Sequence, residues 1–203
     1  MRRVLSFSIP GALAIPCALV ILASGCASTP DSRFYTLSPV PTTAAPTPST
    51  LSVTVGPVSV PAMVDRPQIV VSMGPNRVWL DEFNRWASPL QSNIARVVAD
   101  NLAGMLGTPR VAPSSQTLSG DAEYRVAIAV QGFDSAPGEA ATLDAMWTVT
   151  RAKDGQSQAG RTSLREPASE KGYDALAAAH SRAVARLSRD IAEAVRTLDR
   201  GGK

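Results

Sequence analysis

Few side chains in this sequence are equipped for covalent or proton-transfer chemistry. There are two thiols, Cys17 and Cys26, and a single imidazole, His180. A hydrolase working near neutral pH needs a nucleophile beside a base, most often histidine. His180 occupies an apolar position of a helical repeat, the setting of a packed histidine bonded to a neighbour. With no companion histidine and no cysteine near it, it makes a poor metal-ligand set. Neither a Gly-x-Ser-x-Gly nucleophile motif nor a phosphate-binding glycine loop occurs. Asp81 and Glu82 are adjacent, so in a strand their carboxylates diverge and form no acid–base pair. The inventory predicts a protein with no catalytic centre, no metal and no cofactor.

Cys26 is the thiol with a specific context. Arg2 and Arg3 precede an apolar stretch, Val4 to Leu22, which closes on Ala23-Ser24-Gly25-Cys26. A basic start, an apolar core and small residues before a cut describe a secretory signal peptide. Pro10, Gly11 and Pro16 interrupt a stretch already short for a membrane-spanning helix. The cysteine set directly after small residues resembles a bacterial lipoprotein signal. That resemblance implies cleavage between Gly25 and Cys26, a diacylglycerol on the thiol and an acyl chain on the new amine. Residue 27 is alanine, not the aspartate that commonly retains such proteins at the inner membrane. In a two-membrane host this implies the periplasmic face of the outer membrane.

Removal of residues 1–25 takes away Arg2, Arg3 and Cys17. The 20 basic and 17 acidic side chains of the precursor become nearly balanced, and no basic run remains to bind nucleic acid. With Cys26 consumed by lipid, the mature domain has no disulfide and no cysteine metal site. Its stability must come from packing.

Residues 26–32 form a short tether, and a single domain is expected over 33–200. Arg33–Ser38 has the content of a short strand. Four prolines within 39–50, among Thr, Ser and Ala, give an extended, solvated loop. Leu51–Val60 alternates, with Gly56-Pro57 marking a bulge or an edge. Ile69–Met73 and Arg77–Leu80 flank Gly74-Pro75-Asn76 as a hairpin. Ser88 as cap, Pro89 at the first helical position and Gln91 as the far half of a capping box predict a helix. Its stripe is Leu90, Ile94, Val97, Val98, Leu102, Met105 and Leu106, and Gly107 and Pro109 end it. Strands follow at Tyr124–Val130, Leu143–Thr150 and Gln158–Leu164, the last two joined at Asp154-Gly155. A long helix then carries Tyr173, Leu176, His180, Val184, Leu187, Ile191, Val195 and Leu198 on one face. The expected fold is α+β and two-layered: a mainly antiparallel sheet with two long helices packed on one face.

The segment Trp79-Leu-Asp-Glu-Phe-Asn-Arg-Trp86-Ala-Ser-Pro-Leu90 places two tryptophans and a phenylalanine just ahead of a helix. They either plug the sheet–helix junction or face outward as anchors for a partner. Trp79, Phe83, Arg85 and Trp86 are accordingly the candidate partner-binding residues. The strand edge at Pro57 is a further place for a partner strand to add.

The lipid-attachment motif, Phe34-Tyr-Thr-Leu37, Val53-Thr-Val-Gly-Pro-Val58 and the Arg85-Trp-Ala-Ser-Pro-Leu90 segment together resemble the ABC-type transport auxiliary lipoproteins, the PqiC-like family. The resemblance runs over most of the mature chain. It implies an outer-membrane lipoprotein that works with an inner-membrane protein carrying mammalian-cell-entry (MCE) domains. Such systems form periplasm-spanning tunnels for phospholipid and support envelope integrity. The auxiliary lipoprotein would be the docking end, as a ring of identical subunits. The competing reading is a structural lipoprotein that assembles or anchors a secretion or lipopolysaccharide export apparatus.

Overall fold

Three long strands make one side of the sheet. β6 (Tyr124–Ala136), β7 (Ala140–Arg151) and β8 (Ser157–Pro167) form an antiparallel meander, with Val126 opposite Val149 and Leu143 opposite Leu164. The computed structural model describes residues 30–41, 47–116, 122–168, 170 and 172–202. Tyr124, Val126, Ile128 and Val130 are buried by alternation. The register then shifts between Val130 and Gly132. That bulge moves the buried phase to Phe133 and Ser135 and carries β6 past the end its alternation predicts.

On the far edge of β6 the sheet divides. β2 (Val53–Ser59) pairs with the first half of β6, and β3 (Gln68–Ser72) touches its last turn at Ser135. β2 also pairs with β5 (Val111–Pro113), and β3 pairs with β4 (Val78–Trp86). β1 (Arg33–Tyr35) runs parallel to the end of β4. The sheet is mixed, but its longest ladders are antiparallel, as expected. The register of β2 shifts between Val55 and Val58, at Gly56-Pro57, which makes that feature a bulge. Over Val53–Val55, β2 is an interior strand rather than an edge.

Two helices cover one face. α1 (Leu90–Leu106) lies on β2 and β5, α2 (Tyr173–Arg200) lies on β6, β7 and β8, and the two pack side by side. All seven predicted stripe residues of α1 are buried. Gly107 ends α1 in the left-handed conformation, its N–H bonded to the Ala103 carbonyl. The start differs from expectation. Pro89, at ψ 131°, is the flanking residue rather than the first helical one, and no side chain caps the helix. Ser88 is therefore one position too early to cap. Gln91, instead of closing a capping box, donates its amide to Asp65 at 3.0 Å.

The chain between β1 and β2 is extended and mostly exposed, yet pinned on both sides of residues 42–46, which lie outside the described residues. Leu37 is fully buried. The N–H of Ser38 bonds Ser181 Oγ and that of Val40 bonds Asn101 Oδ1, so this stretch is tied to both helices. Ser49 ties the return path to the end of α1 through the carbonyls of Gly107 and Leu106.

One glycine is fixed by packing. Gly160 of β8 lies opposite Trp147, and a Cβ there would come within 2.3 Å of the indole. The same indole donates Nε1–H to Thr162. Gly160→Val is expected to destabilise the domain by about 1–3 kcal/mol, through overpacking. Denaturant unfolding checks this, and an unchanged midpoint would show that Trp147 has another place to go.

Candidate functional site: the aromatic end of the sheet

The aromatic segment is shaped by a bulge in β4. Ile69 faces Asp81 but Gln68 faces Arg85, so Glu82, Phe83 and Asn84 have no counterpart on β3. The Asp81 carboxylate holds this excursion in place. It accepts the backbone N–H groups of Phe83 and Asn84, both at 2.9 Å, and the side-chain amide of Asn84 at 3.0 Å. Tyr173, the first residue of α2, donates its hydroxyl to the same carboxylate at 2.6 Å. Tyr35 of β1 donates to Asn84, and its ring lies 5.8 Å from that of Tyr173. Burial works against the charge on Asp81, but the hydrogen bonds from Tyr173, Asn84 and the Phe83 amide outweigh it and hold the carboxyl below its ordinary range. The Tyr173 phenol is pushed well above its usual value by burial and by its bond to that carboxylate. Sequence reading assigned none of this to Asp81. The local sign was an aspartate whose carboxylate bonds the backbone two and three residues on, as in an Asx turn.

The four candidate residues divide between two environments. Trp86 is 5% exposed and packs edge-on against Phe133 and His180, with ring centroids at 6.1 Å in both cases. Of the two roles open to it, Trp86 takes the one inside the core. Trp79 is 60% exposed, and Phe83 stands out on the bulge. Arg85 is partly exposed, lies opposite Phe34 of β1, and meets Glu82 at 3.6 Å. Gly25 and Cys26 lie outside the described residues.

His180 is stacked on Phe133 at 3.9 Å and shares a 2.8 Å hydrogen bond between its Nε2 and Ser135 Oγ. A serine beside a histidine is the start of a nucleophilic pair. Here His180 is fully buried and Ser135 nearly so, and Nδ1 has no partner among the described residues to orient the ring. The pair packs the core under Trp86. Burial lowers the His180 pKa from 6.5 to about 3. The unfolded chain therefore takes up a proton below its ordinary pKa that the folded chain refuses until about pH 3. Stability is full above the unfolded value and falls as pH drops. Between about pH 7 and pH 5 the loss should be about 2 kcal/mol, in a window where carboxylates change little. Unfolding midpoints across that window check it: His180→Phe should flatten the dependence, and an equally steep profile in that variant would assign it elsewhere.

Among the described residues no group of His, Cys, Asp or Glu is placed to hold a metal ion, and no helix is long and apolar enough to cross a membrane. A family model for the ABC-type transport auxiliary lipoprotein component matches residues 35–192. Comparison with curated proteins gives no match. A crystal structure described as an uncharacterized protein aligns at TM-score 0.67 and 22% identity, over 82% of this chain and 99% of that chain. Protein XCC0632 from Xanthomonas campestris, of the DUF330 family, aligns at TM-score 0.62 and 17% identity, over 85% of this chain and 100% of that chain. At such identities the likeness is one of fold. A PelC dodecamer from Paraburkholderia phytofirmans reaches TM-score 0.37 at 15% identity, over 71% of this chain and 91% of that chain, too low to inform assembly.

Proposed function

This chain belongs to the family of ABC-type transport auxiliary lipoprotein components, and on that footing we propose that it is the outer-membrane accessory subunit of an MCE-type phospholipid transport system. Acylated at Cys26 after cleavage behind Gly25, it sits on the periplasmic face of the outer membrane. There it docks an inner-membrane MCE-domain partner that spans the periplasm, with several copies closing a ring, and so supports envelope integrity. The family match across most of the folded domain is the observation that carries this reading. The interior is consistent with it, because the chain's single histidine is sealed with Ser135 in the core, where no substrate can reach. The domain offers surfaces rather than chemistry. Trp79, Phe83 and Arg85 are the side chains of the aromatic segment left outside to engage the envelope.

Mild crosslinking of whole envelopes, followed by mass spectrometry of what co-purifies with the acylated protein, tests the proposal. Near-stoichiometric recovery of an MCE-domain protein is the expected result. Recovery of a secretion or lipopolysaccharide export component with no MCE protein would replace it with an assembly or anchoring role.

A further inference from the structure

The exposed apolar side chains of this domain are unevenly distributed. Phe34, Met73, Val78, Trp79 and Phe83 all belong to β1, to β4, or to the β3–β4 turn. The other two large ones among the described residues, Met63 and Met146, are isolated from this group in the sequence. The turn itself, closed by a hydrogen bond from Met73 N–H to the Arg77 carbonyl, carries Met73 on one side and Val78 and Trp79 on the other. Phe34 and Trp79 are 62% and 60% exposed, a large loss of burial for aromatic residues in a chain with so few.

The path of the chain explains what could cover them. β1 runs parallel to β4, with Arg33 opposite Asn84 and Tyr35 opposite Trp86. The polypeptide therefore enters β1 from the side of the β3–β4 turn. From Cys26 to Arg33 a fully extended chain reaches at most about 25 Å. An acylated Cys26 thus holds this edge of the sheet, and no distant one, near the bilayer. Tryptophan and other aromatic side chains favour the membrane–water interface, where an apolar ring can be buried among headgroups. Arg33, opposite Asn84, and Arg77, in the turn, are both exposed along this edge and suit phosphate headgroups. Asp31 and Glu82 are exposed there too, so the aromatic rings rather than net charge carry the contact.

We propose that the β3–β4 turn and the adjoining β1 edge, through Trp79, Val78, Met73, Phe34 and Phe83, rest in the interfacial layer of the membrane that holds the lipid anchor. This rests on the proposed acylation of Cys26 and names the bilayer as what the exposed aromatic residues engage. Acyl chains on one residue hold the protein on the membrane but do not by themselves fix its orientation. Five apolar side chains on a folded edge fix its orientation. A subunit that presents a docking surface across the periplasm needs that second constraint.

The protein carries its own reporter. Trp86 and Trp147 are buried, and Trp79 is exposed. The acylated mature protein is reconstituted in phosphatidylethanolamine–phosphatidylglycerol vesicles containing a phosphatidylcholine brominated on its acyl chains. The Trp79 emission is isolated by subtracting the spectrum of the Trp79→Phe variant. The expected result is loss of this component to the bromolipid and protection of it from aqueous iodide. Quenching by iodide and not by bromolipid, in protein that floats with the vesicles and has the acyl mass, would overturn the membrane contact and leave the anchor standing. Protection from iodide that develops only when solubilised envelope proteins are added would overturn it in favour of a protein interface. A mature protein that lacks the acyl mass and does not float would remove the anchor, and this proposal with it.

Discussion

Replacing Trp86 with alanine is expected to lower the stability of the domain by about 3–5 kcal/mol, the range for truncating a large buried aromatic. The indole is where three elements meet: it ends β4, lies edge-on to Phe133 of β6, and lies edge-on to His180 of α2. Removing it leaves a cavity beside the fully buried imidazole, whose Nδ1 already lacks a partner among the described residues. Water admitted there would favour the charged histidine and weaken the Ser135 contact. For a domain of this size the thermal midpoint should drop by roughly 10 °C. Trp79→Ala supplies the contrast. Its side chain is exposed, so the midpoint should move little, within the range of surface substitutions of about 0.5 kcal/mol. A Trp86→Ala variant that melts like the parent would place the indole outside the core and return it to the list of interface anchors.

That one tryptophan is core and the other surface was not legible in the sequence. Both have the same side chain, and the immediate neighbours, Val78 and Leu80 for Trp79 and Arg85 and Ala87 for Trp86, would if anything suggest the reverse. The decision is made by the register of β4, where three extra residues between the partners of Ile69 and Gln68 break the alternation. The carboxylate that stabilises the excursion draws on Tyr173, far along the chain, which no local pattern announces. The bulge in β6 hides the second half of that strand for the same reason, since buried residues change phase across Gln131. β5, three residues long and ending in proline, is too short to signal its pairing with β2. By contrast the helix stripes repeat over several turns, so α1 and α2 were readable almost residue by residue. The start of α1 was not, because whether Pro89 sits inside or just outside a helix depends on one ψ angle.

The division of the surface follows from the same packing. With both helices on one face, Tyr35, Trp86 and Leu37 are drawn toward the core, while Phe34, next to Tyr35 on a strand, must point the other way. The Phe-Tyr-Thr-Leu stretch therefore serves two ends at once. Its buried members close the sheet over α2, and its exposed phenylalanine extends the apolar edge. Under the proposed acylation the anchor joins the domain at this edge, since β1 is locked to β4 and, through Tyr35 and Asn84, to the bulge.

Cys26→Ser should have the largest effect on function while leaving the fold alone. In the proposed acylation the thiolate is the nucleophile that takes the lipid, and a serine hydroxyl, far less acidic and less nucleophilic, would not replace it. Each buried methylene contributes about 0.8 kcal/mol to membrane residence, so losing all the acyl chains removes the anchor outright rather than weakening it. The variant is expected to retain its signal segment or to appear in the wrong fraction, to lack the acyl mass, and to fail to restore a deletion strain. Its folded domain should melt normally, since Tyr35, Leu37 and the rest of the core follow the tether in sequence. That pairing of a normal melt with lost function separates anchoring from stability, which Trp86→Ala cannot do. Full complementation by a form shown to carry no lipid would mean that the periplasmic partner alone holds the domain in place. The exposed aromatic edge would then have to be explained as a protein contact.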